Sequence, residues 1–316
     1  MNARLETVHM PRLQAGAHPQ HLLATLLGDY DFAERSPIPS AAIVHLLAEF
    51  GITAASARST LSRLARRGLI EPVREGRRTS YRLTDKAGQV HDQRIRHFLA
   101  FGAAPVPDTG KWTVVAFSVP ESQRDQRRVL RVRLQEIGMA TLFDGVLIAP
   151  GDRRDVAARV LAELSVGTAA ALMLVTFDSA LFGGRDPLAA YDLDGLRARY
   201  DDFIVGYTPL LERVRAGAVG ISEALVARTK VMDAWRIFPD TDPALPTVLL
   251  PPDWPLPAAR GLFLAIHDNL GSLAEIRVRN LLEKYIGARA AEIRAYRSDQ
   301  YLTDDRAGAA PDQELA

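Results

Sequence analysis

The sequence predicts an α+β protein of several domains, and three observations carry this prediction. Helix-type and strand-type hydrophobic patterns alternate as far as about residue 177, whereas only helix-type spacing follows from about Pro187. The composition, 47% hydrophobic and 24% charged over 316 residues, is that of globular domains with apolar cores of their own. The net charge is only +1, yet residues 40–100 carry 11 basic and 5 acidic side chains. A basic block on a near-neutral chain indicates a polyanion-binding module joined to unrelated domains.

Three short helices are predicted near the start of the chain. The pattern HLLATLLGDYDF begins at His21, and Ser40 is a candidate N-cap for a second helix that Gly51 ends. Thr53 can cap the free amides of a third helix, TAASARSTLSRLARRG, which ends at Gly68. Two helices followed closely by a third are the core of a helix-turn-helix module.

A β-hairpin is predicted directly after the third helix. The segments LIEPVR and RRTSYRL flank a Glu75-Gly76 turn, and basic residues surround its tip. A further helix follows over residues 86–101. The order helix, helix, helix, hairpin predicts a winged helix-turn-helix DNA-binding domain over residues 20–101.

The third helix has one apolar face and one basic face. Ala57, Leu61, Leu64 and Ala65 recur at helical spacing and are expected to be buried, and arginine and serine occupy the opposite side. Arginine can hold guanine through two hydrogen bonds, and small hydroxyl side chains let a helix approach the major groove. The alternative is that this face is only exposed to solvent, because arginine is common throughout a chain with 35 arginines and 4 lysines. The candidate DNA-binding residues of helix and wing are Ser56, Arg58, Ser59, Ser62, Arg63, Arg66, Arg67, Arg74, Arg77, Arg78 and Arg82.

A second domain is predicted over residues 111–183, after a linker at residues 102–110. Three strand-like segments, WTVVAFSV, FDGVLIAP and ALMLVTF, alternate with the amphipathic segments RDQRRVLRVRLQEIG and DVAARVLAEL. This β-α-β-α-β order predicts a small ferredoxin-like α+β domain. Such sheets often use a face or an edge to dimerise, so we expect this domain to form a homodimer.

The rest of the chain is predicted as a mostly helical domain over residues 184–300. A long helix begins near Leu193, and further helices are expected over residues 222–235, 257–269 and 272–295. Seven prolines between Pro239 and Pro257 exclude a helix or a central strand there and predict an extended strap packed on helices. Residues 1–19 are expected to be a flexible N-terminus, and residues 301–316 a disordered tail.

No catalytic or metal-binding constellation is recognisable. The chain has no cysteine and no nucleophile-elbow, phosphate-loop or zinc-protease motif, and its seven histidines have no ligand spacing. The run His267-Asp268-Asn269 is expected to cap a helix, and the nearby acidic residues Asp192, Asp194, Asp201 and Asp202 to form a solvated face. We therefore expect a cytoplasmic protein without enzyme activity, metal, cofactor or membrane span.

Taken in order, these segments resemble the PaaX family. The resemblance rests on LLGDYDF, LLAEFGITAASARSTLSRLARRGLI, GRRTSYRLT, KWTVVAFSVPE, FDGVLIAP and AWRIFPDTDPALPTVLLPPDWP, and it covers the chain from about Gln20 to about Tyr296. It implies a dimeric bacterial transcriptional repressor of phenylacetate degradation. Such a repressor binds a partly palindromic operator in double-stranded DNA and releases it on binding an aryl-CoA thioester, phenylacetyl-CoA in the founding members.

The family's central domain also resembles the ferredoxin-like nuclease subunit of CRISPR systems. Here the first strand ends Phe117-Ser118-Val119-Pro120, without the aspartate that the nucleases use for a metal ion, so phosphodiester cleavage is disfavoured. The alternative function is that of an enzyme, such as a nuclease, to which a DNA-binding domain is attached. A regulator that senses a different acyl-CoA or small molecule, or that activates transcription, also stays open.

Two groups of residues are candidates for effector binding. Arginines on the first helix of the central domain suit an acidic ligand or a DNA backbone, unless they only form an exposed helix face. Aromatic residues beside an arginine near the proline strap could hold an acyl ring and a CoA phosphate, unless they only anchor the strap. The candidates are Arg124, Arg127, Arg128, Trp235, Arg236, Phe238 and Trp254.

Overall fold

The computed structural model describes residues 19–31, 36–76, 78–165, 169–177 and 186–303. Two compact units appear, and neither is continuous in sequence. The first joins the chain up to Phe101 with Phe203–Ile237 and Ala258–Asp304. The second comprises Gly102–Asp202 and Phe238–Pro257. The predicted flexible N-terminus (residues 1–19) and disordered tail (residues 301–316) lie outside the described residues except at their inner ends. There the prediction was wrong, because Pro19 begins the first helix and residues 301–303 belong to the last one.

The N-terminal part of the first unit is a winged helix-turn-helix. Its three-stranded antiparallel sheet has the order β2-β4-β3, and the hairpin β3–β4 is the wing. The elements are α1 (Pro19–Asp29), β1 (Tyr30–Asp31), β2 (Ile38–Pro39), α2 (Ser40–Ala48), α3 (Ala54–Arg66), β3 (Ile70–Glu75), β4 (Arg78–Leu83) and α4 (Asp85–Ala100). The order of elements predicted from the sequence is confirmed.

Two predicted details of this region were wrong. Ser40 is not an N-cap: β2 leads the chain directly into α2, so that Pro39 holds the cap position and Ser40 is already helical. The first helix ends at Asp29 rather than running through the following aromatic residues. It ends there because Tyr30 pairs with Ala295 in a two-stranded antiparallel sheet.

The helical C-terminal region supplies the rest of the first unit. Its elements are the second half of α7 (Leu193–Arg215), α8 (Ile221–Trp235), most of α10 (Leu256–Asn269), α11 (Gly271–Ile286), β9 (Arg294–Ala295) and α12 (Ser298–Thr303). Helix α8 packs against α1 and α11, and α11 packs against α2. The helix predicted to extend to residue 295 stops at Ile286, because Gly287 takes a φ of +58° that continues no α-helix, and a 3₁₀ turn follows.

The second unit contains a ferredoxin-like domain. Its elements are β5 (Trp112–Phe117), α5 (Arg124–Glu136), β6 (Ala140–Phe143), β7 (Val146–Pro150), α6 (Arg154–Glu163) and β8 (Ala170–Val175). The sheet has the order β6-β7-β5-β8 with antiparallel neighbours. One strand was missed in the sequence: the segment FDGVLIAP is not a single strand but the end of β6, a turn and β7. Gly145 makes the turn at φ +83°, where a Cβ would lie 2.7 Å from the Phe117 carbonyl oxygen.

The proline-rich segment is partly helical, which corrects the prediction of an extended strap throughout. A short helix, α9 (Ile237–Thr241), contains Pro239 in its first turn, where the missing N–H removes no hydrogen bond. A 3₁₀ turn follows at Thr247–Leu249. Leu249 packs on the sheet face formed by Trp112, Val114 and Ile148, so the segment does anchor to the second unit.

None of the helices in the described ranges is both long and apolar enough to cross a membrane.

Candidate nucleic-acid interface

Helix α3 has one buried face and one exposed polar face. Its apolar residues recur at helical spacing, so they fall together on the side that packs against the core. Ala57, Thr60, Leu61 and Leu64 lie in the core, and the Thr53 side chain accepts a hydrogen bond of 3.3 Å from the Ser56 amide as predicted. Among the predicted DNA-binding residues of this helix, Ser56 is half-buried. The others are exposed: Arg58, Ser59, Ser62, Arg63, Arg66 and Arg67.

The arginines of α3 differ in how they are held. Arg67 donates to the Gln20 side chain at 3.2 Å, and Arg63 makes a long contact of 3.4 Å with the Thr60 hydroxyl. Arg58 and Arg66 contact no polar partner among the described residues. These two guanidiniums therefore keep their full hydrogen-bonding capacity for a ligand.

The wing adds further cations on its hairpin. Arg74 and Arg78 are exposed and have no polar partner in the part of the chain that the structure describes. Arg82 instead faces Glu71 across the hairpin and forms an ion pair of 2.5 Å with it. Arg77, the other predicted contact, lies outside the described residues. Among its described residues, the wing thus carries two arginines without a polar partner, Arg74 and Arg78, and one that is already paired, Arg82.

Hydrogen bonds fix the wing relative to α3. The Thr84 hydroxyl donates to the Gly68 carbonyl at 2.9 Å, and the Thr84 amide donates to the Leu69 carbonyl at 3.2 Å. Gly68 takes a φ of +67°, which reverses the chain between α3 and β3. Helix face and wing are therefore held as one surface, with guanidiniums and hydroxyls that suit phosphates and base edges.

A buried polar cluster behind this surface joins the winged helix to the C-terminal helices. Arg228 of α8 is fully buried and lies 3.4 Å from an Asp29 carboxylate oxygen. Its guanidinium also donates to the carbonyl oxygens of Asp29, His267 and Tyr296. Burial is the largest single influence on the pKa of Asp29 and raises it, but the Arg228 guanidinium, His267 and His91 together outweigh burial and keep that pKa below its ordinary value.

The second carboxylate of the cluster is Asp268. Its two oxygens accept hydrogen bonds from the Ser298 hydroxyl at 2.5 Å and the Ser298 amide at 3.0 Å, and its Oδ1 lies 3.0 Å from His267 Nδ1. Burial raises the pKa of Asp268, yet these hydrogen bonds prevail and lower it to about 2. His267 and Asp268 thus hold α10 and α12 together. Of the three residues predicted to cap the helix, only Asn269 does so, by donating a hydrogen bond to the Ala265 carbonyl.

His267 and Asp268 were expected only as helix caps, and the buried pair of Arg228 with Asp29 was not predicted from the sequence at all. Arg228 lies in ISEALVARTKVMDAW, where a lone arginine in an amphipathic helix gives no signal of burial. Its partner Asp29 is 199 residues away, so no local spacing links them. The acidic residues expected on a solvated face, Asp192, Asp194, Asp201 and Asp202, are exposed as predicted.

The aromatic effector candidates are not gathered into one site within either unit. Trp235 and Arg236 belong to the first unit: Trp235 stacks on Phe263 and donates to the Phe98 carbonyl at 2.8 Å, and Arg236 donates to the Thr25 hydroxyl. Phe238 and Trp254 belong to the second unit, where both contact Tyr200. Trp235 is fully buried and Phe238 is 4% exposed, so both serve as core residues.

Some arginines of α5 form ion pairs with a carboxylate, and others have no polar partner among the described residues. Arg127 and Arg131 both bind the Asp144 carboxylate, which neutralises part of the cluster. Arg124 and Arg128 are exposed and have no polar partner among the described residues. No group of three or more His, Asp or Glu side chains in the described ranges is arranged to hold a metal ion.

Comparisons with known proteins give a consistent result. Three family models match the chain in order: PaaX-like protein over residues 18–87, PaaX protein central Cas2-like domain over 106–186, and PaaX-like protein C-terminal domain over 191–280. A search of curated proteins gives no match.

The chain is also similar in fold to a solved structure, the uncharacterized protein Rv0674 from Mycobacterium tuberculosis. The likeness has a TM-score of 0.50 at 22% identity and covers 84% of this chain and 98% of that one. At this identity the likeness supports the fold alone. Because the three family models together span the winged helix, the ferredoxin-like domain and the helical region, the chain belongs to the PaaX-like family.

Proposed function

We propose that the protein is a transcriptional repressor of the phenylacetate or aromatic catabolism type that binds double-stranded operator DNA in the cytoplasm. The observation that carries this proposal is the exposed arginine and serine face of α3 beside the basic wing, held as one surface. Membership of the PaaX-like family supports it. In this proposal Ser59, Ser62, Arg63 and Arg66 face the major groove, and Arg74 and Arg78 contact phosphates.

The repressor acts as a homodimer. One recognition helix reads too few base pairs for operator specificity, and a two-fold axis doubles the site at a defined spacing. The operator is therefore an inverted repeat.

The proposed effector is an aryl-CoA thioester such as phenylacetyl-CoA, which binds a DNA-incompetent state more tightly and so releases the operator. The effector class rests on the family resemblance. The exposed arginines Arg124 and Arg128 suit the CoA phosphates, whereas the buried positions of Trp235, Arg236 and Phe238 favour a structural role.

Selection of binding sites from a pool of random DNA duplexes with the full-length protein tests the DNA-binding proposal. We expect enrichment of an inverted repeat whose affinity exceeds that of a scrambled duplex about a thousandfold or more at fixed salt. Binding that never distinguishes the selected sequence from scrambled DNA would overturn it.

The effector is tested on the resulting complex. Phenylacetyl-CoA, other acyl-CoAs and free phenylacetate are titrated separately, and release of the operator by an aryl-CoA at tens of micromolar is expected. Release only by a different acyl-CoA or by the free acid would replace the effector but keep the regulator. No release by any of them would remove the effector class.

A further inference from the structure

We propose that a cavity inside the winged helix is a second ligand site, which binds a neutral single-ring aromatic molecule with a hydroxyl group, that is, a phenol. Its occupancy strengthens operator binding. The cavity lies within the first unit, between α1, the buried side of α3, the wing sheet, α4 and the segment after β9. Binding of the phenol does not depend on the proposed function, and only its effect on DNA does.

The floor of the cavity is aliphatic and buried. Leu23 of α1, Leu61 of α3 and Ile70 of β3 line it and are at most 3% exposed. Leu83 of β4 lies opposite Ile70 in the hairpin register, and direct cross-strand partners point to the same face of a sheet, so both face the cavity. Such walls favour an apolar ligand body, because its burial removes apolar surface from water.

Tyrosine rings border this aliphatic floor. Tyr30 is 1% exposed, whereas Tyr81 of β4 and Tyr296, the residue after β9, are half-buried. Rings in the wall favour an aromatic ligand, because stacked or edge-to-face ring pairs gain energy beyond that of the buried area. The two half-buried tyrosines mark the side on which the cavity opens to solvent and a ligand can enter.

The enclosed space limits the ligand to about one ring. It has room for about three water molecules, and a six-membered aromatic ring takes up a similar volume. A CoA thioester is many times larger, so the cavity cannot hold the whole of the proposed effector. The site therefore takes a different and smaller ligand.

Polar groups on the α4 side of the cavity select a hydroxyl rather than a carboxylate. His91 and Asp92 both line the cavity. A phenol hydroxyl can donate to the Asp92 carboxylate, and the imidazole ring offers a further donor or acceptor. Arg82 of the lining is already paired with Glu71. A ligand carboxylate would thus meet the like charge of Asp92 beside an arginine that is already neutralised.

A ligand in this cavity contacts both elements that are proposed to meet DNA. Leu61 belongs to α3 and Tyr81 to the wing, and the hydrogen bonds of Thr84 hold these two elements as one surface. The phenol adds contacts that this arrangement alone provides, so its binding shifts the population toward the arrangement. In the proposed function the same arrangement contacts the operator. Ligand and operator therefore raise each other's affinity by the same factor.

Fluorine NMR with 4-fluorophenol tests the site in the full-length protein without DNA. We expect saturable binding with a dissociation constant of about 0.1–1 mM, in keeping with so small a ligand. The anion 4-fluorobenzoate should bind at least about tenfold more weakly, because it faces Asp92. Phenylacetyl-CoA should not displace 4-fluorophenol.

A variant that fills the cavity locates the binding. Leu27 of α1 is half-buried and lines the cavity, so Leu27→Phe puts a ring where the ligand would lie and should weaken 4-fluorophenol binding about tenfold or more. Ile52→Phe is the matched control, because Ile52 is also a half-buried aliphatic residue of the winged helix but does not line the cavity. It should bind as the wild type does.

A second variant keeps the test decisive if Leu27→Phe does not fold. Asp92→Asn removes the lining carboxylate from a half-buried position and should strengthen 4-fluorobenzoate binding about threefold or more. An affinity for 4-fluorobenzoate that stays unchanged in this variant would contradict the role given to Asp92.

The inference is overturned by a wild-type protein that shows no saturable 4-fluorophenol binding up to about 10 mM. Equal affinities for the wild type and a folded Leu27→Phe variant, or displacement by phenylacetyl-CoA, would overturn it as well. Saturating 4-fluorophenol should also tighten operator binding about twofold or more at fixed salt, and an unchanged operator affinity would remove the regulatory role. A protein that binds 4-fluorophenol but never selects a DNA sequence would contradict the proposed function and leave the ligand site intact.

Discussion

Arg228 shows how a single buried side chain can hold distant parts of the chain together. Its guanidinium is fully buried, pairs with Asp29 and donates to three carbonyl oxygens, two of which lie next to the β1–β9 pairing. The arginine also lies over the Tyr30 ring at 5.2 Å, and burial raises the pKa of that tyrosine to about 12. An arginine with this many acceptors is structural rather than catalytic.

Replacing Arg228 should strongly destabilise the first unit. Arg228→Met leaves the Asp29 carboxylate buried without its cation, and we expect a loss of about 3–5 kcal/mol in the free energy of unfolding. The double variant Asp29→Asn with Arg228→Met should lose less than the sum of the single changes, because the uncompensated charge is gone. Urea unfolding of the four proteins measures both effects. Additive losses would show that the pair does not interact.

Asp268 gives the same cluster a pH dependence. Its folded-state pKa of about 2 lies below the ordinary value of 3.8, so its contribution is complete above about pH 4 and is lost as the pH falls toward 2. The contribution is about 1–2 kcal/mol after allowance for partial exposure. Asp268→Asn should therefore lower the urea midpoint at pH 7 and make the midpoint change less between pH 5 and pH 3.

The control for Asp268 is Asp201→Asn, an exposed site on α7. It should keep the pH dependence of the wild type. An Asp268→Asn protein whose urea midpoint follows the wild type in parallel at every pH would contradict the role assigned to the carboxylate.

At the scale of elements, the wing is the part of the candidate interface that contacts DNA without reading it. Arg74 and Arg78 are exposed near the turn, whereas Arg82 is paired with Glu71. Unpaired guanidiniums at a hairpin tip mostly neutralise phosphates, and each released counterion adds to the salt dependence of binding.

Removal of Arg74 and Arg78, the wing cations that have no polar partner among the described residues, should weaken binding to all DNA sequences. Arg74→Ala with Arg78→Ala is expected to reduce the slope of log K against log salt by about 1–2 while leaving the preference for the selected sequence unchanged. Arg82→Ala is a control in the same hairpin and should reduce the slope less, because its charge is already paired. An unchanged slope in the double variant would mean that the wing does not touch the backbone.

Elements were predictable where the signal is local. The Thr53 cap, the Gly68 stop and the apolar stripe of α3 all lie within 16 residues. Each is confirmed, except that Ala65 of the stripe is only half-buried. The β6–β7 hairpin was missed although Asp144-Gly145 is a strong turn signal, because the apolar residues on both sides read as one buried strand. Pairing of β1 with β9 was unpredictable, since two-residue strands at opposite ends of the chain have no periodic pattern.

At the scale of the whole molecule, the division into units was not visible in the sequence. The winged helix and the C-terminal helices form one compact unit, joined by contacts such as Arg277 with Glu49 at 2.8 Å and Arg260 with the Leu99 carbonyl at 2.9 Å. The charge pattern marks the winged helix as a basic segment, and periodicity marks the C-terminal region as helical. Neither pattern reveals that these two regions share one core. Because α8 packs against α1 and α11 packs against α2, a shift in the position of α8 or α11 would be transmitted to the winged helix by direct contact.

In the proposed function the exposed face of α3 reads DNA sequence. The test uses two double variants: one carries Arg63→Ala and Arg66→Ala together, and the other carries Arg124→Ala and Arg128→Ala together. Fluorescence anisotropy at fixed salt measures the affinity of each for the selected operator and for a scrambled duplex. Both double variants remove two exposed arginines, but the second pair lies on α5.

We expect the α3 double variant to lose about a hundredfold or more in affinity for the operator and far less for the scrambled duplex. The α5 double variant should stay within about threefold of the wild type on both duplexes. Equal losses for the two double variants on both duplexes would contradict sequence reading by α3, because α3 would then contribute only charge.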